Sequence, residues 1–122
     1  MNALSLASIL TSRKGPYHDN TSEWVLLIRD HKEYIKQRST LVTIAPDDLY
    51  KYQYMPGAYL YDTYRLSLSA TWIFLFINDI PSVDDFKPGI RPVYIPAEST
   101  LAELYRLSCT LKAARKRSVT TV

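Results

Sequence analysis

The chain has 122 residues, 47% of them hydrophobic and 22% charged, enough for one domain that buries roughly two-thirds of its unfolded surface without disulfides or a structural metal. One cysteine, Cys109, and two histidines, His18 and His31, exclude an internal disulfide and a Cys/His zinc site, and three scattered glycines (15, 57 and 89) leave no Walker or dinucleotide-binding loop. The net charge of +3 is uneven: residues 106–122 carry five cations and no acid, which leaves the first 105 residues at −2.

Residues 1–20 read as an arm, because Ser, Thr, Asn and the Gly15-Pro16 pair break any period; such arms often order only against a partner. Met1 to Leu10 is mildly apolar, but no basic residue precedes it and Arg13 and Lys14 follow at once, so a secretory signal is not expected. The apolar run Trp24 to Ile28 fits a helix or a strand equally. Asp30, with Glu33 three residues on, reads as the N-cap of a short, mostly exposed helix through Gln37. Thr40 to Ile44 is β-branched and alternates as a strand does, stopped by Pro46 and an Asp47-Asp48 turn. Leu49 to Tyr54 then reads as a second strand, with Tyr50, Tyr52 and Tyr54 on one face, ended by Met55-Pro56-Gly57.

Ala58 to Arg65 suits a helix. Ser69 is placed to cap the next one, in which Trp72 to Ile77 are apolar nearly all round, the pattern of a helix buried on most sides. Trp72 is the expected anchor of the core, packed between two strands. The longest uncharged run, Leu66 to Asn78, includes this helix and is too short to cross a bilayer, so no transmembrane span is expected. Asn78, at the helix end, has an amide that both donates and accepts, and is expected to satisfy backbone groups of the following turn; truncating it to Ala would then cost about 1 kcal/mol. Ser82 caps a single turn through Phe86, Lys87-Pro88-Gly89 forces a turn, and Val93-Tyr94-Ile95 is a strand closed by Pro96.

The last element is an amphipathic helix. Thr100 and Glu103 form a capping box, and Leu101, Leu104, Leu107, Leu111 and Ala114 recur at three- and four-residue steps. Acids at its start and Arg115, Lys116 and Arg117 at its end suit the helix dipole, and residues 118–122 are expected to fray.

No catalytic constellation emerges. The pairs Asp47-Asp48 and Asp84-Asp85 sit in turns, where aspartate is common for backbone reasons; His31 lies in a charged segment with no nucleophile to pair with; Cys109 falls mid-helix. The chain is read as a non-enzyme with no cofactor and no metal. Ten tyrosines against three phenylalanines favour half-buried contact surfaces. On that reading the partner-facing residues are Tyr50, Tyr52 and Tyr54, the leucines Leu104, Leu107 and Leu111, and the basic end Arg115, Lys116 and Arg117. The basic end is also able to neutralise phosphates, but no aromatics interleave after Tyr105, so docking on protein is ranked first.

Taken in order, residues 50–96 run strand, helix, buried helix, asparagine, short turn, Pro-Gly, strand, and this succession resembles a LysM-like βααβ module. The strings Trp72 to Asn78, Phe86-Lys87-Pro88-Gly89 and Val93-Tyr94-Ile95-Pro96 carry it. With Tyr50-Lys51-Tyr52-Gln53-Tyr54-Met55-Pro56 ahead of the module, the chain over residues 40–97 is similar to the LysM-like baseplate wedge proteins of contractile-tailed bacteriophages. The resemblance implies a structural subunit of a sixfold virion baseplate, assembled in the host cytoplasm, that binds neighbouring tail proteins and has no catalytic role. It makes Trp72, Asn78, Phe86 and Ile95 structural core residues. The expected architecture is a small α+β protein: an arm and short helix over 1–39, a LysM-like core over 40–97, and an amphipathic helix with basic tail over 98–122. The alternative is a soluble binding module for a bacterial glycan, or for nucleic acid through the tail.

Overall fold

A computed structural model describes the backbone of residues 22–120 and the side chains of residues 23–115. The arm read over residues 1–20, and the side chains of Lys116 and Arg117, lie outside the described residues. The protein is a small α+β fold with one two-stranded antiparallel sheet and a long C-terminal helix. In chain order the elements are α1 (Ser22–Asp30), α2 (Lys32–Gln37), β1 (Thr40–Val42), α3 (Pro46–Lys51), α4 (Pro56–Tyr64), α5 (Thr71–Ile77), β2 (Val93–Ile95) and α6 (Glu98–Thr120). Turns of 3-10 helix over Leu68–Ala70 and Val83–Asp85 join the middle elements.

The ambiguous run Trp24 to Ile28 lies in helix α1. Trp24, Leu27 and Ile28 fall at helical spacing and are buried, while Leu26 is exposed. Asp30 ends α1 and does not cap α2: His31 separates the two helices, its backbone N–H returning to Leu27 O and its ring Nδ1–H donating to the same carbonyl at 2.8 Å. The first strand is confined to Thr40–Val42 and pairs with β2 in the register Thr40↔Ile95, Leu41↔Tyr94, Val42↔Val93.

The expected strand over Leu49 to Tyr54 is not there; its first residues belong to helix α3 and the rest to the turn after it. Pro46 stands at N1, where its missing N–H is harmless, and Asp47 and Asp48 occupy the first turn, where the helix dipole favours them. The same residues read from sequence as a turn are thus a helix start, and Leu49 is the helix's buried anchor.

Helix α4 begins at another proline, Pro56, and ends at Arg65 in the left-handed region (φ 60). Gly57 lies close against the start of α5, where a Cβ would stand 2.8 Å from Thr71 Oγ1 and oblige that hydroxyl to move. Ser69 does not cap α5: it is buried in the 3-10 turn, its hydroxyl 3.0 Å from that of Ser67, and the residue before α5 is Ala70. Ser82 does cap the next turn, its Oγ accepting from Asp84 N–H at 3.2 Å, and Gly89 takes the positive φ (97) that the Pro-Gly turn needs.

Helix α5 is central because it serves two cores. Ile73 and Ile77 face one that includes Trp24, Ile28 and Leu101, whereas Phe74 faces another with Leu60, Phe86, Val93 and Ile95. The tryptophan that anchors the first core is Trp24, fully buried, and not Trp72. Trp72 is only partly buried and lies edge-on to Trp24 at 6.4 Å, away from any position between the strands. The physical reason is that α1 and α6, at the chain's two ends, close over this side of α5, so the ring at their junction takes the centre.

The long helix α6 starts at Glu98, two residues after Pro96, and the Thr100–Glu103 capping box is not formed. Thr100 is already inside the helix, its N–H bonded to Ala97 O, and Glu103 instead accepts from Tyr34 Oη at 2.9 Å, which raises the Tyr34 phenol above its ordinary pKa. Backbone of residues 118–120, read from sequence as frayed, continues the helix.

Candidate interaction surface

The candidate surface is built from the turn between α3 and α4 upward. Helix α3 is short, so Tyr50, on its solvent side, is 68% exposed. The chain then reverses through Tyr52–Tyr54, with Met55 N–H bonded to Tyr52 O and Tyr54 N–H bonded to Phe86 O at 2.8 Å. That second bond fixes Tyr54 in the left-handed region (φ 65), an uncommon conformation for a bulky residue and one that the surrounding structure must over-determine. Its ring is 48% exposed and Met55 beside it is 50% exposed.

Tyr52 behaves differently from its neighbours. Its ring packs edge-on to Tyr59 at 5.7 Å, and its hydroxyl donates to Asp62 Oδ2 at 3.0 Å. Tyr59 is buried against Phe86, with Tyr64 Oη 3.4 Å from its own hydroxyl. Burial first, then that neighbour, pushes the Tyr59 phenol well above its ordinary value. Tyr52, Tyr59 and Tyr64 thus contact one another in series, while Tyr50, Tyr54 and Met55 are exposed. The single tyrosine face read from sequence is therefore divided, because Tyr50, Tyr52 and Tyr54 lie in a helix and a turn and do not alternate across a strand.

Other sequence-read residues are dispersed. Phe86 and Ile95 are buried in the second core, as structural residues should be. Asn78 is at the end of α5, where its Nδ2 donates to Phe74 O and to Tyr94 O, both at 2.9 Å, while its Oδ1 accepts from Tyr94 N–H at 2.7 Å. It reaches the strand, not the following turn, and the left-handed residue there is Asp79 (φ 55). Lys32 pairs with Asp79, and this hydrogen bond lowers the Asp79 carboxyl below its usual range.

Leu104, read as partner-facing, is 2% exposed and belongs to the first core, whereas Leu107 and Leu111 are 42% and 44% exposed. Arg115 forms an ion pair with Glu23 Oε1 at 2.8 Å, joining α6 to the start of α1. Asp47-Asp48 lie at the start of α3 and Asp84-Asp85 in the 3-10 turn, and among the described residues no group of three His, Cys, Asp or Glu side chains gathers to hold a metal. No helix among those residues is long and apolar enough to cross a membrane.

A groove of about 470 Å³ lies between the Asn78–Pro81 loop and the Gly89–Val93 loop, with Asp79, Asp85 and Arg91 as its charged side chains and no aromatic ring in its walls. Met55, Asp62 and Tyr64 were not read from sequence as contact residues; a helix start at Pro46-Asp47-Asp48 is the signal that places Tyr50 outside. No family model, curated protein or solved structure matches this chain.

Proposed function

We propose that the protein is a structural subunit of a phage tail baseplate, acting through protein–protein contacts with neighbouring tail proteins in a sixfold assembly. The observation that carries the reading is the exposure of Tyr50, Tyr54 and Met55 around a turn in which Tyr52 is held by a hydrogen bond to Asp62 and a ring contact with Tyr59. Aromatic residues and methionine are the side chains enriched where proteins meet, and a surface already rigid loses little entropy on docking. The sequence resemblance over residues 40–97 supplies the setting, a virion assembled in the host cytoplasm. A glycan-binding module draws less support, because the groove beside Asn78 offers no ring on which a sugar would stack. The basic tail, the alternative surface for nucleic acid, has its Arg115 paired with Glu23.

The test is mass spectrometry of DNA-free tail particles, washed in high salt, from the virus or bacterium that encodes the chain. The chain should remain at a fixed ratio to other tail proteins. A Tyr50→Ser/Tyr54→Ser variant should melt as the parent does yet be lost from the particles. Absence of the parent chain from the particles, or full retention of the variant, overturns the reading.

A further inference from the structure

Helix α6 carries an apolar stripe that continues from the core into solvent. Leu104, Leu107, Leu111 and Ala114 follow one another at three- and four-residue steps and so share one side of the helix. Leu104 is buried in the first core, but Leu107 and Leu111 belong to neither core and are 42% and 44% exposed, and Ala114 is exposed as well.

The rest of the chain joins the fold beside this stripe. Glu23 pairs with Arg115 at 2.8 Å, and Arg115 is one helix turn from Leu111, so the first turn of α1 is held next to the exposed leucines. The sequence before Ser22 therefore enters there. Its first ten residues include Ala3, Leu4, Leu6, Ala7, Ile9 and Leu10, and no charged residue occurs before Arg13, so this segment is apolar and brings no side-chain charge into a contact. Residues 11–21 tether it to α1. Extended, they span up to about 36 Å, whereas Leu107 lies eight positions from Arg115, roughly 12 Å along the helix. The tether returns to the stripe with slack, yet is short enough to hold the segment there at an effective concentration on the order of millimolar.

We propose that residues 3–10 of this chain dock on the Leu107–Leu111–Ala114 stripe of α6 and close it within one molecule. Covering the leucines removes apolar surface from water on both sides of the contact, and the covalent tether spares most of the association entropy that a separate partner would lose. A neighbouring protein meeting the same stripe would have to displace a segment already supplied by the chain. The leucines read from sequence as partner-facing are then covered internally, and the exposed residues around the α3–α4 turn remain for a neighbour. The inference goes beyond the baseplate reading and does not depend on it.

The test uses the chain's single cysteine. Cys109 is exposed and stands two positions from both Leu107 and Leu111. A nitroxide attached to it in the isotope-labelled full chain should broaden the amide signals of residues 3–10 to less than half the intensity they show once the nitroxide is reduced. Leu6→Asp/Leu10→Asp should restore that intensity, and so should Leu107→Asp/Leu111→Asp. The first pair of substitutions leaves residues 22–120 unchanged, so it decides the question even where the α6 variant fails to fold. Full intensity at residues 3–10 in the nitroxide-bearing parent, as there would be if the stripe waited for a neighbouring protein, overturns the proposal. So does broadening that survives Leu6→Asp/Leu10→Asp. Mixing the nitroxide-bearing chain, unlabelled, with isotope-labelled Cys109→Ser chain should leave residues 3–10 sharp; broadening in that mixture would assign the stripe to a second copy and overturn the contact within one molecule.

Discussion

Replacing Asn78 by Ala removes more than a helix cap. Three hydrogen bonds are lost, but they are not equal: Phe74 O still accepts from Asn78 N–H at 3.2 Å, so its loss of Nδ2 costs little. Tyr94 loses both partners that its N–H and C=O have among the described residues, in a half-buried setting. A net hydrogen bond is worth about 1 kcal/mol and an orphaned buried group somewhat more, so Asn78→Ala should cost about 2–3 kcal/mol, or roughly 10 °C in Tm for a chain of this size. The assay is urea and thermal unfolding followed by circular dichroism. Asn78→Asp sharpens the test, since it keeps an acceptor for Tyr94 N–H but sets a carboxylate against two carbonyls. That environment raises the new carboxyl's folded pKa above its unfolded value of about 3.9, so the favourable contribution of its protonated form is full below that pH and lost as pH rises through the folded pKa. The Asp variant should therefore be at least as unstable as the Ala variant at neutral pH, and its deficit against the parent should shrink on acidification. A loss below about 0.5 kcal/mol for Asn78→Ala, or an Asp variant more stable than the Ala one at pH 7, would refute the assignment of Asn78 to the strand edge.

Two further outcomes follow from the cores. Trp24→Ala should cost about 3–5 kcal/mol and Trp72→Ala clearly less, because only the first ring is fully enclosed; equal losses in denaturant titrations would contradict the burial argument. Tyr59, whose folded pKa is raised by burial, contributes stability that is complete below the unfolded tyrosine value of about 10 and declines as pH rises above it. Tyr59 should thus ionise only as the protein unfolds in alkali, and Tyr59→Phe should remove that late step from the phenolate absorbance titration; a Tyr59 phenol that titrates normally in the folded state is the contrary result.

Much of the middle of the fold was legible because its signals are local. Ser82 capping, the Pro-Gly turn, the strand Val93–Ile95 and the apolar helix α5 each depend on residues within a few positions of one another. The losses occurred where two local rules compete. Tyr50, Tyr52 and Tyr54 alternate as in a strand, yet Pro46 with two following acids is a helix start, and the helix that forms buries Leu49. At α6, Thr100 and Glu103 have capping-box spacing, but a helix that begins just after Pro96 already includes them.

What no local pattern carries is the choice among equivalent residues. Trp24 and Trp72 are interchangeable in composition, and Leu104, Leu107 and Leu111 lie on one periodic stripe. Which of them is buried depends on α1 meeting α6 across nearly the whole chain. Asn78 makes the same point: as a helix terminus it was identifiable, but its closing of the sheet is a contact over 16 positions. That contact closes one edge of the sheet, because the amide side chain imitates a neighbouring strand there, donating to the Tyr94 carbonyl and accepting from its N–H. A strand edge closed by a side chain in this way needs no further strand to satisfy it.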